Sequence, residues 1–381
     1  MKKKVKITPE IIEISLTVVF VIFIISAAVQ LLYYWGIFCR LAFFKTRNIN
    51  NEKQPVSVVI AASNEYDNLK ENLPLILEQD YPDFEVIVVN NYSNDDSEYF
   101  LKTFSEKYKN IKVITIPENL NFFKGKKFPL SVGIKSAKNE LLLLTDADCK
   151  PKTKNWISEM QSGFGENIQL VLAYGAYETK KGFLNSIIRC DTLQIAIQYF
   201  SFSLIGQTYM GVGRNLAYKK TLFITNKGFS SHYKISSGDD DLFINKVAAK
   251  KNTNIIINHQ SHTLSTPKET FSEWTKQKKR HLTTANLYKF KHKFLLGNYS
   301  LSQFMFYLSS VILLAMLYNI KIVLPLILFK LFSQLFIFKK CMIKLDEKKI
   351  LLISLITEIL LIFIIPVLSL SNLLYKTDKW K

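Results

Sequence analysis

The sequence predicts an α/β protein in which a doubly wound, mostly parallel sheet is flanked by transmembrane helices at both ends of the chain. Between residues 56 and 145, short apolar runs alternate with stretches of helical spacing. Near-continuous apolar strands separated by helices are typical of a parallel sheet covered on both faces. Long uncharged segments lie towards both ends of the 381-residue chain. The pattern therefore separates a middle domain from two membrane regions.

Four apolar segments are long enough to be considered as membrane spans. Residues 14–38 carry no charge and exceed the roughly 20 residues that cross a bilayer core. That segment is also too long for the apolar part of a cleaved signal peptide. We predict spans near 14–37, 299–319 and 350–374, and leave open whether 322–338, interrupted by Lys330, spans or lies in the interface. The predicted domains are an anchor at 1–39, a middle domain at 40–293 and a transmembrane region of two or three helices at 294–381.

The loop between the last two segments predicts the orientation of the chain. It carries five lysines, Lys339, Lys340, Lys344, Lys348 and Lys349. Cytoplasmic loops are enriched in Lys and Arg, so this loop is expected in the cytoplasm. If 322–338 crosses the membrane, the middle domain lies on the same side. We therefore predict a multi-pass protein of the cytoplasmic membrane with its middle domain facing the cytoplasm.

The middle domain begins with four strands and three helices in alternation. We predict strands at 56–61, 84–89, 112–116 and 140–145, and helices at 68–79, 97–107 and 126–136. An open parallel sheet binds its ligand beyond the carboxyl ends of its strands. The residues that follow each strand are therefore the first candidates for a site.

Composition excludes several classes of protein. With 48% apolar residues the chain is not intrinsically disordered, and its four cysteines form neither a disulfide scaffold nor a paired C-x-x-C zinc site. The net charge of +19 is explained by an anionic leaflet, where each near-surface Lys or Arg gains roughly 1 kcal/mol. Since no nucleic-acid recognition motif is present, we expect the membrane, and no nucleic acid, as a partner.

Acidic and amide residues follow three of the predicted strands. The fourth strand ends in Asp146-Ala147-Asp148, and alternation in an extended chain places both carboxylates on one side. Such carboxylates repel each other unless a cation lies between them, and hard oxygen ligands suit Mg²⁺ or Mn²⁺ bound together with phosphates. The sequence has neither a P-loop nor a G-x-G-x-x-G after the first strand, which argues against a P-loop NTPase and a dinucleotide oxidoreductase.

Two further motifs lie downstream. Gly238 and three aspartates, Asp239 to Asp241, precede a helical stretch. They could form a solvated helix start, or their crowding could raise the pKa of one carboxylate into the range of a general base. In the segment 271–281, Trp274, Gln277 and Arg280 or His281 share one helical face, whereas its lysines fit a basic helix on lipid headgroups.

The order of these motifs resembles that of the family-2 glycosyltransferases, in particular their membrane-anchored bacterial members. The resemblance covers roughly residues 54–290 and rests on A-x-N-E after the first strand, D-x-D after the fourth, the later acidic pair and Q-x-x-R. The resemblance implies a GT-A fold and an enzyme of the hexosyltransferase type. Such an enzyme uses a nucleotide-sugar donor and inverts the configuration at the anomeric carbon. The implied partners are a UDP- or GDP-sugar donor and a lipid or glycan acceptor.

The resemblance also assigns roles to residues. Binding of the nucleotide-sugar falls to Ala62, Asn64, Glu65, Asn91, Lys126, Asp146, Gln277 and Arg280. Asp146 and Asp148 would hold the metal, and Asp240, with Asp239 beside it, would be the catalytic base. Acceptor contacts fall to Gly213, Arg214, Trp274 and His281, although residues 211–215 could equally be a turn into the strand 216–218.

Three positions depart from the family pattern. Asn91 stands where the family has an Asp that contacts the base, Asp239 replaces a Glu, and His281 replaces a Trp that stacks on the acceptor of polymerising members. The last departure argues against polymerisation. We therefore expect transfer to a hydroxyl of a lipid-linked or cell-envelope glycan acceptor. The alternatives are a processive polysaccharide synthase and a non-catalytic nucleotide-binding membrane protein.

Overall fold

The computed structural model describes residues 9–45, 52–118, 125–235 and 237–374. The ends of the predicted anchor and of the C-terminal region, residues 1–8 and 375–381, lie outside this part of the chain. The helices are α1 (Pro9–Leu32, continued by a π-helix at Tyr33–Phe38), α2 (Cys39–Ala42), α3 (Tyr66–Leu77), α4 (Ser97–Lys107), α5 (Lys127–Ser136), α6 (Trp156–Ser162), α7 (Phe183–Leu204), α8 (Lys220–Thr225), α9 (Asp241–Val247), α10 (Phe271–Ala285), α11 (Phe290–Ala315), α12 (Ile320–Lys344) and α13 (Leu351–Leu374).

Ten strands form two sheets within the described residues. The strands are β1 (Val56–Ala62), β2 (Phe84–Asn91), β3 (Ile111–Ile116), β4 (Leu141–Asp146), β5 (Cys149–Pro151), β6 (Leu170–Ala173), β7 (Gly175–Tyr177), β8 (Leu216–Lys219), β9 (Thr253–Ile256) and β10 (Thr263–Ser265). The large sheet has the order β3-β2-β1-β4-β8-β6-β9, and the small one β5-β10-β7. Strands β3, β2, β1 and β4 are parallel, and β8 is antiparallel to both of its neighbours.

The predicted doubly wound, mostly parallel sheet is thus confirmed, with element bounds within two residues of those expected for β1 to β4. Apolar clusters cover the sheet on both faces. Helix α5 packs against β1 and β2 through Gly133. A Cβ at this position would lie 2.6 Å from Val59 Cγ1 and 3.0 Å from Val89 Cγ2, so only a glycine allows this close approach.

Register brings the ends of three strands to one edge of the sheet. Ala61 pairs with Val89 of β2 and with Asp146 of β4. Strands β1, β2 and β4 run in the same direction, so the loops that follow them start side by side. The residues predicted to bind a ligand are therefore brought together by the backbone before any side chain is considered.

Three helices of the described chain are long and apolar enough to cross a membrane, Pro9–Ala42, Ile320–Lys344 and Leu351–Asn372. The segment 322–338, left open in the sequence, lies inside the second of them. The predicted span 299–319 falls mainly in α11, which is not among the three. Polar side chains interrupt this helix, and two of its groups bind α1: Gln30 Nε2 donates to the Tyr299 carbonyl (3.0 Å) and to Ser302 Oγ (2.7 Å).

A buried ion pair joins the α12–α13 loop to the middle domain. Arg189 Nε on α7 donates to Glu347 at 3.1 Å, and the Tyr174 hydroxyl donates to the same carboxylate at 2.9 Å. Lys152 contacts Asp346 beside it. The lysine-rich loop and the middle domain therefore lie on the same side of the membrane helices. The sequence predicted that the domain and the loop share one side of the membrane, and the labelling experiment below tests whether that side is the cytoplasm.

Labelling of single cysteines on intact cells checks this arrangement. We expect Lys109→Cys on the domain and Lys348→Cys on the loop to react with a membrane-impermeant maleimide only after permeabilisation, because the enrichment of Lys in cytoplasmic loops predicts that both sites face the cytoplasm. Leu317→Cys, in the turn between α11 and α12, should react before it. All three side chains are exposed.

Wild-type protein gives the labelling background of the four native cysteines. Labelling of position 109 or 348 from outside would reverse the orientation. Opposite results at 109 and 348 would contradict the Arg189–Glu347 contact itself.

Candidate active site

Amide side chains tie together the loops after β1 and β2. Asn64 has a left-handed backbone (φ +52°), and its Oδ1 accepts from the Asn94 N–H at 2.7 Å while its own N–H donates to Ser93 Oγ at 2.9 Å. Asn91 is buried at the end of β2, and its Oδ1 has no hydrogen-bond partner among the described residues. An unpaired buried acceptor costs about 1–3 kcal/mol, so Asn91 offers a ready acceptor to a ligand.

The D-x-D carboxylates lie next to each other as expected. Ligand atoms of Asp146, Asp148 and Cys149 all lie within 4.8 Å of one another. Burial raises the pKa of Asp148, and the charges of Asp146 and Glu65 raise it further. Burial also raises the pKa of the Cys149 thiol, so that side chain stays protonated and is a weak ligand for a hard cation. Two carboxylates and no thiolate fit Mg²⁺ or Mn²⁺.

Lys126 connects the two acidic motifs. Its Nζ contacts Asp146 Oδ1 and lies 3.6 Å from Asp239 Oδ2, with 11% of the side chain exposed. Burial alone would lower the pKa of this lysine, but the charges of Asp146 and Asp239 outweigh burial and raise it. Burial would likewise raise the pKa of Asp146, and the Lys126 ammonium lowers it instead. Lys126 therefore stays charged and holds the two acidic loops together.

The three consecutive aspartates have three different environments. Asp240 accepts from the Gly213 N–H and from the Asp241 N–H, each at 2.7 Å. Burial, followed by the charges of Asp239 and Asp241, raises the pKa of Asp240 to about 7. Asp241 points away and is buried, with Oδ2 accepting from the hydroxyls of Thr284 and, at 2.6 Å, Tyr288.

The loop before β8 contacts this centre at Gly213. A Cβ on Gly213 would lie 3.4 Å from Asp240 Oδ2 and 3.6 Å from Lys126 Nζ. The next residue, Arg214, lies 4.3 Å above the Tyr177 ring, and its charge acts on both Asp146 and Asp148. The segment 211–215 is thus both the expected turn into β8 and a wall of the cleft.

Helix α10 begins with a capping box between Thr270 and Glu273. Farther along it, Gln277 Nε2 donates to the Tyr177 hydroxyl at 3.2 Å, and the Arg280 charge acts on Asp146. The side chain of His281, next to Arg280, is exposed.

Two residues of α10 lie elsewhere than the sequence suggests. Trp274, expected at the acceptor, is only 2% exposed and packs with Ile187, Ile188 and Leu361. Lys278, expected on lipid headgroups, is buried in an ion pair with Asp191. Both lie on the face that α10 turns towards α7 and α13, so neither contacts the cleft.

The structure therefore brings together most residues that the sequence proposes, and adds others. Around Lys126 lie Asp146, Asp239, Asp240 and Gly213, with Asp148 and Arg214 beside Asp146. Tyr177 and Cys149 were missed. Cys149 directly follows D-x-D, which is the signal that could have found it. Tyr177 lies on a three-residue strand with no recognisable motif.

Comparison with known proteins agrees with this geometry. Residues 57–223 match the model of "Glycosyl transferase family 2". "Glycosyltransferase AglE" of Haloferax volcanii is 29% identical over 30% of this chain and 38% of its own length. "Probable glycosyltransferase YdaM" of Bacillus subtilis is 37% identical over 28% of this chain and 26% of its own length. A "Poly-beta-1,6-N-acetyl-D-glucosamine synthase" of Staphylococcus epidermidis is 28% identical over 31% and 28%.

A solved structure extends the likeness in fold to most of the chain. The mannosyltransferase PcManGT from Pyrobaculum calidifontis, determined with GDP-Man and Mn²⁺, superposes with a TM-score of 0.57 over 87% of this chain and 99% of its own, at 18% identity. Residues 57–223 therefore match the family-2 glycosyltransferase model, and the sheet has the GT-A fold. The sequence matches above span less than two fifths of each curated relative, so the activity of the whole chain is a matter for proposal.

The hydrogen bonds to Asp241 predict a loss of stability when this residue is replaced. Asp241→Asn removes the charge that accepts two buried hydroxyl bonds, and hydrogen bonds to charged groups contribute about 1.5–3 kcal/mol. We expect the free energy of unfolding to fall by about that amount. The measurement is Tm in detergent with excess chelator.

Asp240→Asn should instead change how stability depends on pH. Because folding raises the pKa of Asp240 from about 4 to about 7, the native state binds more protons between these values, and stability falls as pH rises through that window. The asparagine variant lacks this decline, so its stability relative to wild type should rise from pH 4 to pH 7 and then stay constant. The measurement is Tm of both proteins at several pH values. A difference in Tm that does not vary with pH would contradict the raised pKa of Asp240.

Proposed function

We propose that this protein is a membrane-bound inverting glycosyltransferase, which transfers a sugar from a nucleotide-sugar donor to a hydroxyl of a lipid-linked or cell-envelope glycan acceptor. The observation that supports this best is the contact of Lys126 with both Asp146 and Asp239. This contact joins two groups. One is the pair Asp146 and Asp148, which is suited to binding a metal ion with a diphosphate. The other is the run of three aspartates that contains Asp240, whose pKa is raised. Both groups lie beyond the carboxyl ends of parallel strands, where such sheets bind nucleotides.

The donor end of the cleft is proposed around β1, β2 and β4. The buried, unpaired Asn91 Oδ1 would accept from a nucleobase, and the residues of A-x-N-E, Ala62, Asn64 and Glu65, would line the pocket with it. UDP- and GDP-sugars are the proposed donors. PcManGT, which shares the fold, was solved with GDP-Man, but the amide at 91 leaves the choice of base open to experiment.

Asp146 and Asp148 are the proposed ligands of Mg²⁺ or Mn²⁺. A bound cation would relieve the repulsion that raises the pKa of Asp148 and would stabilise negative charge on a departing diphosphate. Arg214 and Arg280, whose charges already act on Asp146, would bind phosphate oxygens from the protein side. Gln277, fixed by Tyr177, would complete this wall.

Asp240 is the proposed general base. Two backbone N–H donors hold its carboxylate, so its direction is fixed before an acceptor arrives. A pKa of about 7 lets it take a proton from an attacking hydroxyl and release it to solvent near neutral pH. Asp239, whose Oδ2 lies 3.6 Å from Lys126 Nζ, would help to position the neighbouring Asp240. One base and no acid suffice, because the leaving diphosphate needs no proton.

A second candidate is a processive polysaccharide synthase. The observation in its favour is the match of 31% of this chain to a protein named as a poly-N-acetylglucosamine synthase. Against it stands His281, where a polymerising member would present a Trp. Product mass distinguishes the two, since single transfer adds one sugar and polymerisation adds a ladder.

The proposed function is tested with purified protein in nanodiscs, a panel of labelled UDP-, GDP- and dTDP-sugars, and total membrane lipid as acceptor. We expect Asp240→Asn to lower transfer by at least about 10²-fold, the lower range for loss of a positioned base, while donor affinity is unchanged. Asp241→Asn, assayed where it remains folded, should lose much less activity.

If Asp240→Asn retains near-normal turnover and Asp239→Asn is inactive, the base is assigned one residue away. If all three single variants are active, the aspartate run is only a helix start. Donor binding without transfer to any acceptor would support the non-catalytic alternative.

The pH dependence of transfer gives an independent check on Asp240. A base acts in its deprotonated form, so kcat/KM should fall as pH drops below about 7. In Asp240→Asn the residual rate should lack this limb. If the fall in kcat/KM at low pH persists unchanged in the variant, a group other than Asp240 causes it.

A further inference from the structure

The last helix, α13, makes contact with the glycosyltransferase domain at both of its ends. At its start, Cys190 Sγ of α7 lies 3.4 Å from the Ile350 carbonyl. At its other end, Asn372 Nδ2 donates to the Lys279 carbonyl of α10 at 2.7 Å, and Lys279 Nζ donates to Ser371 Oγ at 2.9 Å. Between these points Leu361 packs against Trp274 and α7.

These contacts are difficult to reconcile with a helix that crosses the bilayer. Twenty-four residues measure about 36 Å, and a spanning helix separates its ends by a hydrocarbon core of about 30 Å. Here both ends touch one domain. If α13 crossed the membrane, α10 beside it would have to enter the hydrocarbon core of the bilayer together with its exposed Lys276. A lysine at the centre of the bilayer costs about 2.5–3.5 kcal/mol even on the scales derived from insertion experiments.

The two faces of α13 differ in what they contact. One face is buried against the protein and includes Ser354, Thr357, Glu358 and Leu361. Its Glu358 accepts from Gln303 and Gln334 and pairs with Lys330 at 3.3 Å, which fixes α13 to α11 and α12. The other face is exposed and, apart from Ser369 at its edge, apolar, with side chains at intervals of three or four residues: Leu352, Ile356, Ile359, Phe363, Val367, Leu370 and Leu374.

We infer that α13 lies in the membrane interface, parallel to the bilayer, with this exposed face (hereafter the α13 stripe) in the lipid of the leaflet that faces the glycosyltransferase domain. Helices α11 and α12, which pack against α13 around Glu358, also present exposed apolar side chains. Exposed aromatic rings of Phe183 on α7 and Phe271 on α10 accompany it. The partner is therefore a lipid surface.

Charge agrees with this partner. Exposed lysines adjoin the starts of α7 and α10, namely Lys180, Lys181, Lys268 and Lys276, and outnumber the exposed acids there, Glu269 and Glu273. Lys180 lies 3.6 Å from Glu269. A rim of cations around an apolar face is the composition that binds anionic headgroups. A second copy of the chain would bring like charges together at the same rim.

The inference has a consequence for the cleft. Helix α10 carries Gln277 and Arg280 and rests on α13, and packed helices lie 8–10 Å apart. The lipid surface would therefore lie about two helix widths from the cleft. A lipid-linked hydroxyl could reach the cleft without leaving the leaflet, which agrees with the proposed acceptor but does not depend on it.

Depth measurements with nitroxide labels test the inference. Leu352→Cys, Phe363→Cys and Leu370→Cys place labels along the exposed stripe of the full chain, reconstituted in vesicles of phosphatidylcholine and phosphatidylglycerol. Val311→Cys, exposed on α11, is the control for a lipid-facing site on a helix that leads away from the domain. An interfacial helix is immersed only about 5–10 Å in the bilayer. The three α13 labels should therefore report the same shallow depth, much shallower than the depth of the control label at position 311.

A spanning α13 would give a different profile, with Phe363 near the bilayer centre and Leu352 and Leu370 shallow on opposite sides, and would overturn the inference. Low oxygen accessibility with spin–spin broadening at all three labels would assign the stripe to a second copy instead, which also overturns it. A reporter fused after Lys381 gives a second readout: it should lie on the same side as Lys348→Cys. Neither result depends on catalysis, so a failure here is distinct from a failure of the proposed activity.

Discussion

The site is organised by the need to compensate negative charge at one edge of a sheet. Parallel strands deliver Asp146 and Asp148 there, and the turn at Gly238 brings three more aspartates to the same place. Lys126 is the cation in contact with both groups. It pairs with Asp146 and Asp239, whereas the pKa values of Asp148 and Asp240 are raised. The same arrangement therefore separates a carboxylate that invites a cation from one that can accept a proton.

Much of this could be predicted from the sequence, because it follows from local pattern. Apolar runs defined β1 to β4, and strand direction then placed A-x-N-E, Asn91 and D-x-D at one edge. The pattern could not distinguish the three aspartates, since their roles depend on contacts from distant segments. Gly213 holds Asp240, and Thr284 with Tyr288 holds Asp241. Likewise, helical spacing placed Trp274 with Gln277, but packing against α7 and α13 turned Trp274 into the core.

The membrane helices show the limit of composition as a guide. Composition alone does not select α11, because Gln303 and Ser302 give it a polar face towards its neighbours, whereas α12 is apolar enough to cross. The two helices must nevertheless cross together if the domain and the α12–α13 loop lie on the same side. α13 is the most apolar of the three candidates, but the ends of a helix, and not its hydropathy, determine whether it crosses. Arg189–Glu347 at one end and Lys279–Asn372 at the other attach it to the domain. The proposed active site and the proposed lipid-facing stripe are thus connected through the contacts of α10 with α13.

The central claim is that D-x-D binds a nucleotide-sugar through a divalent cation. Calorimetry of the full chain with UDP- and GDP-sugars, in Mn²⁺ or in excess chelator, tests it most directly, with Asp148→Ala as the variant and Asp80→Ala, a remote exposed carboxylate, as its control. The account predicts donor binding by wild type and Asp80→Ala in Mn²⁺ only, and by Asp148→Ala in neither condition, while all three stay folded. Undiminished binding in chelator, or by Asp148→Ala, would contradict it.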